Sequence, residues 1–211
     1  MAPEYTWRRA DAVRGARIGP GLDSRSMDEP QPRRPRTATR SEHERVARID
    51  LALVRRKAED ARSNPRRREI HVLHRGDADT LHRMLNALQP GTYVRPHRHV
   101  EPPKAEAFVV LQGAAAFVPF LDDGAIDVEG LSLLHRERGA LGVDCRAGVW
   151  HSFLALEPDT VLYEVKPGPY DAAADKDFAP WAPPEGTPEG DSYRERLETE
   201  VRLLLGATSI D

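Results

Sequence analysis

The chain has 211 residues, a formal net charge of −3, 39% hydrophobic residues, 18 Pro and 15 Gly. That length suits one packed core with extensions, and the modest apolar share points to segments that do not pack. The single cysteine, Cys145, excludes an internal disulfide and a Cys-based zinc cluster. No apolar run approaches the roughly 18 residues of a membrane span, and the first twenty residues carry arginines without a continuous apolar segment, so the expectation is a cytoplasmic protein with no membrane partner.

Charge is distributed unevenly: residues 1–68 hold 18 Lys/Arg against 10 Asp/Glu, and residues 69–211 hold 13 against 24. Residues 1–40 show no apolar period, and Pro30-Gln31-Pro32-Arg33-Arg34-Pro35-Arg36 reads as extended, polyproline-like chain, so this segment is expected to be a disordered basic arm. Met27 inside it is an alternative start. In the next segment, 41–64, Ser41 followed three residues later by Glu44 has the form of a capping box. Val46, Ile49, Leu51, Leu53 and Ala58 recur at helical spacing, which predicts an amphipathic helix over 42–61 that stops before Ser63-Asn64-Pro65.

From residue 69 onward, short β-type runs alternate with turn signals. The predicted strands are 69–74, 82–88, 92–99, 105–111, 114–121, 125–135, 141–145, 150–156 and 160–166, punctuated by Pro90-Gly91, Gln112-Gly113, Asp122-Asp123-Gly124, Ala147-Gly148 and Pro158-Asp159. The expected architecture is mainly β, one barrel over 65–186. Residues 166–181 strap its outside, with a homodimer contact as their second reading. In the last segment, 187–211, Asp191, Ser192 and Glu195 start a helix that runs through Leu205 and closes at Gly206.

His97 and His99 lie one residue apart in a predicted strand, so both imidazoles project from one face, with Tyr93 and Arg95 in the same parity. A tight reversal through Val100-Glu101-Pro102-Pro103-Lys104 would return an antiparallel strand carrying Glu106 and Phe108 beside them, and His151 could join from across the barrel. Three imidazoles and a carboxylate suit one divalent transition metal such as Fe, Mn, Zn or Ni. Glu101 competes with Glu106 for the fourth position, and Glu106 could instead orient a ligand imidazole without touching the metal.

Gly91, five residues, His97-x-His99, then Glu106, six residues and Gly113, together with Gly148-x-x-His151, resembles the two cupin motifs. The stretch 83–99, with Glu164-Val165-Lys166-x-Gly168-Pro169-Tyr170-Asp171 and Asp175-Lys176-x-Phe178-Ala179-Pro180-Trp181, is similar to the WbuC-type cupin-fold metalloproteins. The resemblance covers about 63–186 and implies a small jelly-roll barrel holding one metal. Three departures stand out: the gap from His99 to Glu106 is six residues where cupins have three or four, Arg146 replaces a usual proline, and Ala155 a common Asn.

Tyr93, Arg95 and Phe108 are the candidates for a substrate pocket, Arg95 offering a planar fork to a carboxylate or phosphate. His71, His74 and His82 read as ordinary strand histidines, and Cys145 as core filler. The function expected is a metal-dependent enzyme acting on a small polar molecule, as isomerase, lyase or oxygenase, and the WbuC resemblance implies that a sugar-derived molecule is a candidate. The alternative is a non-catalytic metal-containing sensor or binding protein for small molecules. Nothing resembles a DNA-binding helix-turn-helix, so a nucleic-acid partner is not expected.

Overall fold

Period-two alternation builds this fold, because most strands present apolar side chains to two different partners. The structure is a computed structural model that describes residues 38–208. Met27 and nearly all of the 1–40 segment lie outside the described residues. In chain-order numbering, the first sheet runs β1 (Ala38–Arg40), β2 (Arg68–Val72), β3 (Leu81–Leu88), β10 (Thr160–Pro167), β5 (Glu106–Gln112), β8 (Gly142–Cys145). The second runs β11 (Asp177–Phe178), β4 (His97–Arg98), β9 (Trp150–Ala155), β6 (Ala114–Phe120), β7 (Ser132–His135). Helix α1 (Leu51–Ser63) precedes β2, and α2 (Pro188–Thr208) ends the described chain. The fold is therefore mainly β with one helix on each flank, and its two sheets face each other in the manner of a jelly roll.

Three apolar clusters show what each face covers. Between the sheets lie Leu88, Phe108, Val110, Ala115, Phe117, Leu134, Phe153 and Leu162. On the outside of the first sheet, Leu53, Val54, Ala58 and Ala61 of α1 pack on Leu85, Ala87 and Val161. On the outside of the second, Leu197 and Val201 of α2 pack on Val118, Trp150 and Leu154, with Ala179 and Ala182 of the strap. Strands β6 and β9 are consequently buried along their whole length, like strands covered on both faces.

The boundaries differ from expectation for identifiable reasons. Helix α1 starts at Leu51, nine residues later than the predicted 42, because Asp50 is its cap: the Asp50 carboxylate accepts from the Leu53 amide at 2.9 Å. Ser41 instead donates its amide to Val72 O, and Val46 and Ile49 are exposed. Residues 38–40, expected to belong to the arm, form an edge strand parallel to β2. The predicted strand 92–99 keeps regular pairing only at His97–Arg98, since Pro96 has no amide to donate. Helix α2 begins at Pro188 with Thr187 as its cap, whose hydroxyl accepts from the Gly190 amide at 3.1 Å, and it continues past Gly206.

The strap is held in place rather than merely laid on. Strand β11 pairs with β4, the Ala179 amide donates to Pro96 O, and Arg68 Nη2 donates to both carboxylate oxygens of Glu185 at 2.7 Å. No helix among the described residues is long and apolar enough to cross a membrane.

Gly113 joins β5 to β6 at φ 72°, where a Cβ would stand 2.6 Å from Thr160 Oγ1 and 2.8 Å from Thr160 Cα. Left-handed strain and the clash act together there, so Gly113→Ala should destabilise the protein by about 2–4 kcal/mol, read from its urea-unfolding midpoint.

Candidate metal centre

Strands β4 and β9 are neighbours whose single register pair is His97 with His151, and His99 follows two residues after His97. Alternation aims all three imidazoles into the space between the sheets. Glu106 arrives from the other side: it opens β5 of the first sheet, opposite Cys145 of β8. The chain through Pro102 and Pro103 thus crosses between sheets instead of closing a hairpin. This corrects the expected geometry: His151 is the neighbour of the histidine pair, and Glu106 faces them across the sandwich. Each of the four is at most 4% exposed, and one ligand atom from each lies within 4.8 Å of all the others. The group can hold a metal ion.

Backbone carbonyls fix the orientation of the three rings. His97 Nδ1 contacts Arg95 O at 2.9 Å, His151 Nδ1 contacts Val149 O at 2.9 Å, and His99 Nδ1 contacts Asp175 O. A carbonyl only accepts, so each Nδ1 carries the proton, and in a neutral ring the lone pair is left on Nε2. His151 Nε2 stands 2.9 Å from Glu106 Oε2, and His99 Nε2 stands 3.2 Å from Glu106 Oε1. Close as they are, His99 Nε2, His151 Nε2 and Glu106 Oε2 have no hydrogen-bond partner of acceptable geometry. Buried polar atoms are seldom left unpaired, and here the unpaired atoms converge on one point.

Behind Glu106 lies a buried ionic network. Lys166 Nζ is 3.3 Å from Glu106 Oε1, 3.4 Å from Glu164 Oε1 and 3.4 Å from Asp175 Oδ2. Lys104 Nζ reaches Asp175 Oδ1 at 3.1 Å and donates to Pro169 O at 2.6 Å. Burial alone would raise the Glu106 carboxyl, but the His151 and His99 imidazoles and the Lys166 ammonium hold it well below the usual carboxylate range. Burial likewise opposes the charge on Lys166, and Glu164, Glu106 and Asp175 outweigh it and raise its pKa. His97 is pushed well below the usual imidazole value, by burial first and then by the charges of Lys176 and His151. His151 goes the other way, up to about 9, because Cys145 and Glu106 outweigh its burial.

The three pocket candidates stand elsewhere. Tyr93 donates its hydroxyl to Pro183 O, and Arg95 donates to Ala182 O and Ala179 O, so the polar ends of both are committed to the strap. Phe108 packs on Phe153, ring centroids 4.4 Å apart, inside the core beneath the centre. Glu101 is exposed and outside the cluster. The other strand histidines are occupied locally: His71 contacts the Thr39 hydroxyl, and His74 and His82 stack at 4.0 Å. Sequence reasoning missed Lys104, Glu164, Lys166 and Asp175. On β10, Glu164 and Lys166 share the inward parity of Leu162, but the outward Val161 and Tyr163 are apolar too, so the pattern carried no signal.

A family model described as a domain of unknown function (DUF6016) matches residues 49–130, which takes in His97, His99 and Glu106 but not His151. No curated protein matches. Among solved structures, oxalate decarboxylase from Bacillus subtilis is similar at 18% identity and TM-score 0.38, over 48% of this chain and 24% of that one. KdgF from a Halomonas species gives 18% and 0.37 over 49% and 80%. CapF with a tropolone inhibitor gives 20% and 0.42 over 52% and 31%. This chain thus spans about a quarter of the length of the decarboxylase.

Lys166→Met would leave three buried carboxylates short of a counter-charge. It should cost about 3–5 kcal/mol in metal-free protein, and less once a divalent metal is added to offset Glu106, as urea unfolding with and without the metal would show.

Proposed function

We propose that this chain is a cupin-fold metalloprotein in which His97, His99, Glu106 and His151 hold one divalent transition metal, Fe, Mn, Zn or Ni, and that it acts as an enzyme on a small polar molecule. The observation that carries this reading is the set of unpaired buried acceptors. Three imidazoles with Nδ1 committed to carbonyls face one carboxylate, each residue at most 4% exposed, and His99 Nε2, His151 Nε2 and Glu106 Oε2 lack a partner of acceptable geometry, which a cation bound between them would supply. Nitrogen and oxygen donors without sulfur suit these metals, and a mixed set of this kind is unlike the closed, sulfur-rich sites of structural zinc.

A bound metal of this class supplies Lewis acidity or, for iron, an affinity for dioxygen, compatible with isomerase, lyase or oxygenase chemistry. The chain's own groups do the rest. Carbonyls 95, 149 and 175 hold the imidazoles in register, and Lys166 keeps Glu106 ionised as a ligand. Phe117 and Phe153, with ring centroids 5.8 Å and 6.4 Å from that of His151, wall the inner end of the centre against water. A sugar-derived substrate is the class that the WbuC resemblance favours.

His97→Ala combined with His151→Ala should abolish metal uptake, measured as metal per chain by elemental analysis of protein that still shows a native β-type circular dichroism spectrum. Adding metal should raise the thermal midpoint of the wild-type protein and leave that of the double variant unmoved. Undiminished metal in the double variant would overturn the reading.

A further inference from the structure

The strap carries a lysine that neither the ionic network nor the metal ligands use. Strand β11 pairs with β4 so that Phe178 opposes His97 and Asp177 opposes Arg98. Residues opposed in register share a face, and the Phe178 ring indeed stands 6.2 Å from the His97 ring. Lys176, two residues before Phe178, therefore lies on that same face, level with His99. The other residues on that face at the edge of the second sheet are buried, whereas Lys176 and Phe178 are both exposed.

Among the described residues Lys176 has no hydrogen bond and no ion pair. Yet it stands beside the centre: the residue before it, Asp175, places its backbone carbonyl on His99 Nδ1, and the residue two after it, Phe178, opposes His97. Its charge is also surplus. Three buried carboxylates, Glu106, Glu164 and Asp175, face Lys104, Lys166 and a divalent cation, which already leaves the loaded centre positive before Lys176 is counted.

We propose that Lys176 is the anion-binding residue of the substrate site, and that the substrate is a small carboxylate whose acid group meets Lys176, whose neighbouring oxygen reaches the metal, and whose short apolar part lies against Phe178. This rests on the metalloprotein reading and names the substrate class for it. The Arg95 guanidinium, 5.0 Å from the Phe178 ring centroid, stacks on that ring and keeps it in place at the mouth. A lysine is a compact point charge, suited to a carboxylate that must be held without a planar fork.

The test is calorimetric binding to metal-loaded full chain, with 2-hydroxybutyrate as probe and its neutral amide as control, on wild type, Lys176→Gln and Lys176→Arg. Wild type should bind the acid at least about 10-fold more tightly than the amide, the size of one charge-assisted contact. Lys176→Gln should lose that preference while keeping the wild-type metal content and thermal midpoint, and Lys176→Arg should retain most of it. Equal binding of acid and amide by wild type, binding of neither, or an unchanged preference in Lys176→Gln overturns the proposal. So does loss of metal from Lys176→Gln, which would make Lys176 part of the metal frame. Wild type that takes up no metal in the same elemental analysis overturns the metalloprotein reading along with it.

Discussion

Three backbone carbonyls decide the character of the centre. A histidine whose Nδ1 is bound to a carbonyl has one nitrogen left, and in this chain all three such nitrogens look inward at a carboxylate from the opposite sheet. The rings cannot turn away without breaking a buried hydrogen bond, and the carboxylate cannot leave without abandoning Lys166. Convergence of lone pairs is thus enforced from outside the cluster. Two of the three carbonyls sit two residues before their own histidine, which makes the orientation a local property of the β4 and β9 entries. The third, from Asp175, comes from the strap and ties a distant segment to the ligand set.

The strap answers a second constraint. The outer face of the second sheet is apolar and must be covered, and residues after β10 have little regular structure with which to do so. Arg95, Tyr93 and Arg68 resolve this by donating to strap carbonyls and to Glu185, and Trp181 packs between Phe120 and Trp150. The same side chains that would have suited a substrate pocket are spent on architecture, and the exposed residues at the β11 edge, Lys176 and Phe178, come from the strap itself.

Much of this was legible in the sequence. The run of strands and the helical flanks follow from alternation and turn residues, and the four converging side chains follow from their spacing against Gly91, Gly113 and Gly148. What spacing cannot convey is which sheet a strand joins. The reversal at 100–104 reads as a hairpin, whereas the chain crosses the sandwich there, so His151 and Glu106 exchange the expected places. Parity was ambiguous for a related reason: both faces of β10 are covered, Val161 and Tyr163 by α1 and Leu162 by the core, so the apolar positions do not reveal where Glu164 and Lys166 point. Tyr93 and Arg95 were assigned by extending a strand through Pro96, where regular pairing ends.

One feature of the layout bears on mechanics. The imidazoles belong to one sheet and Glu106 to the other, so an ion coordinated by all four is a rivet through the sandwich at its otherwise polar end. The layer directly beneath it is welded by Phe108, Phe117 and Phe153 whether or not an ion is present. Opening of the two sheets at this polar end would then hinge on the aromatic layer and be limited by coordination above it, and slow amide exchange along β4 and β5 would track ion occupancy rather than global stability.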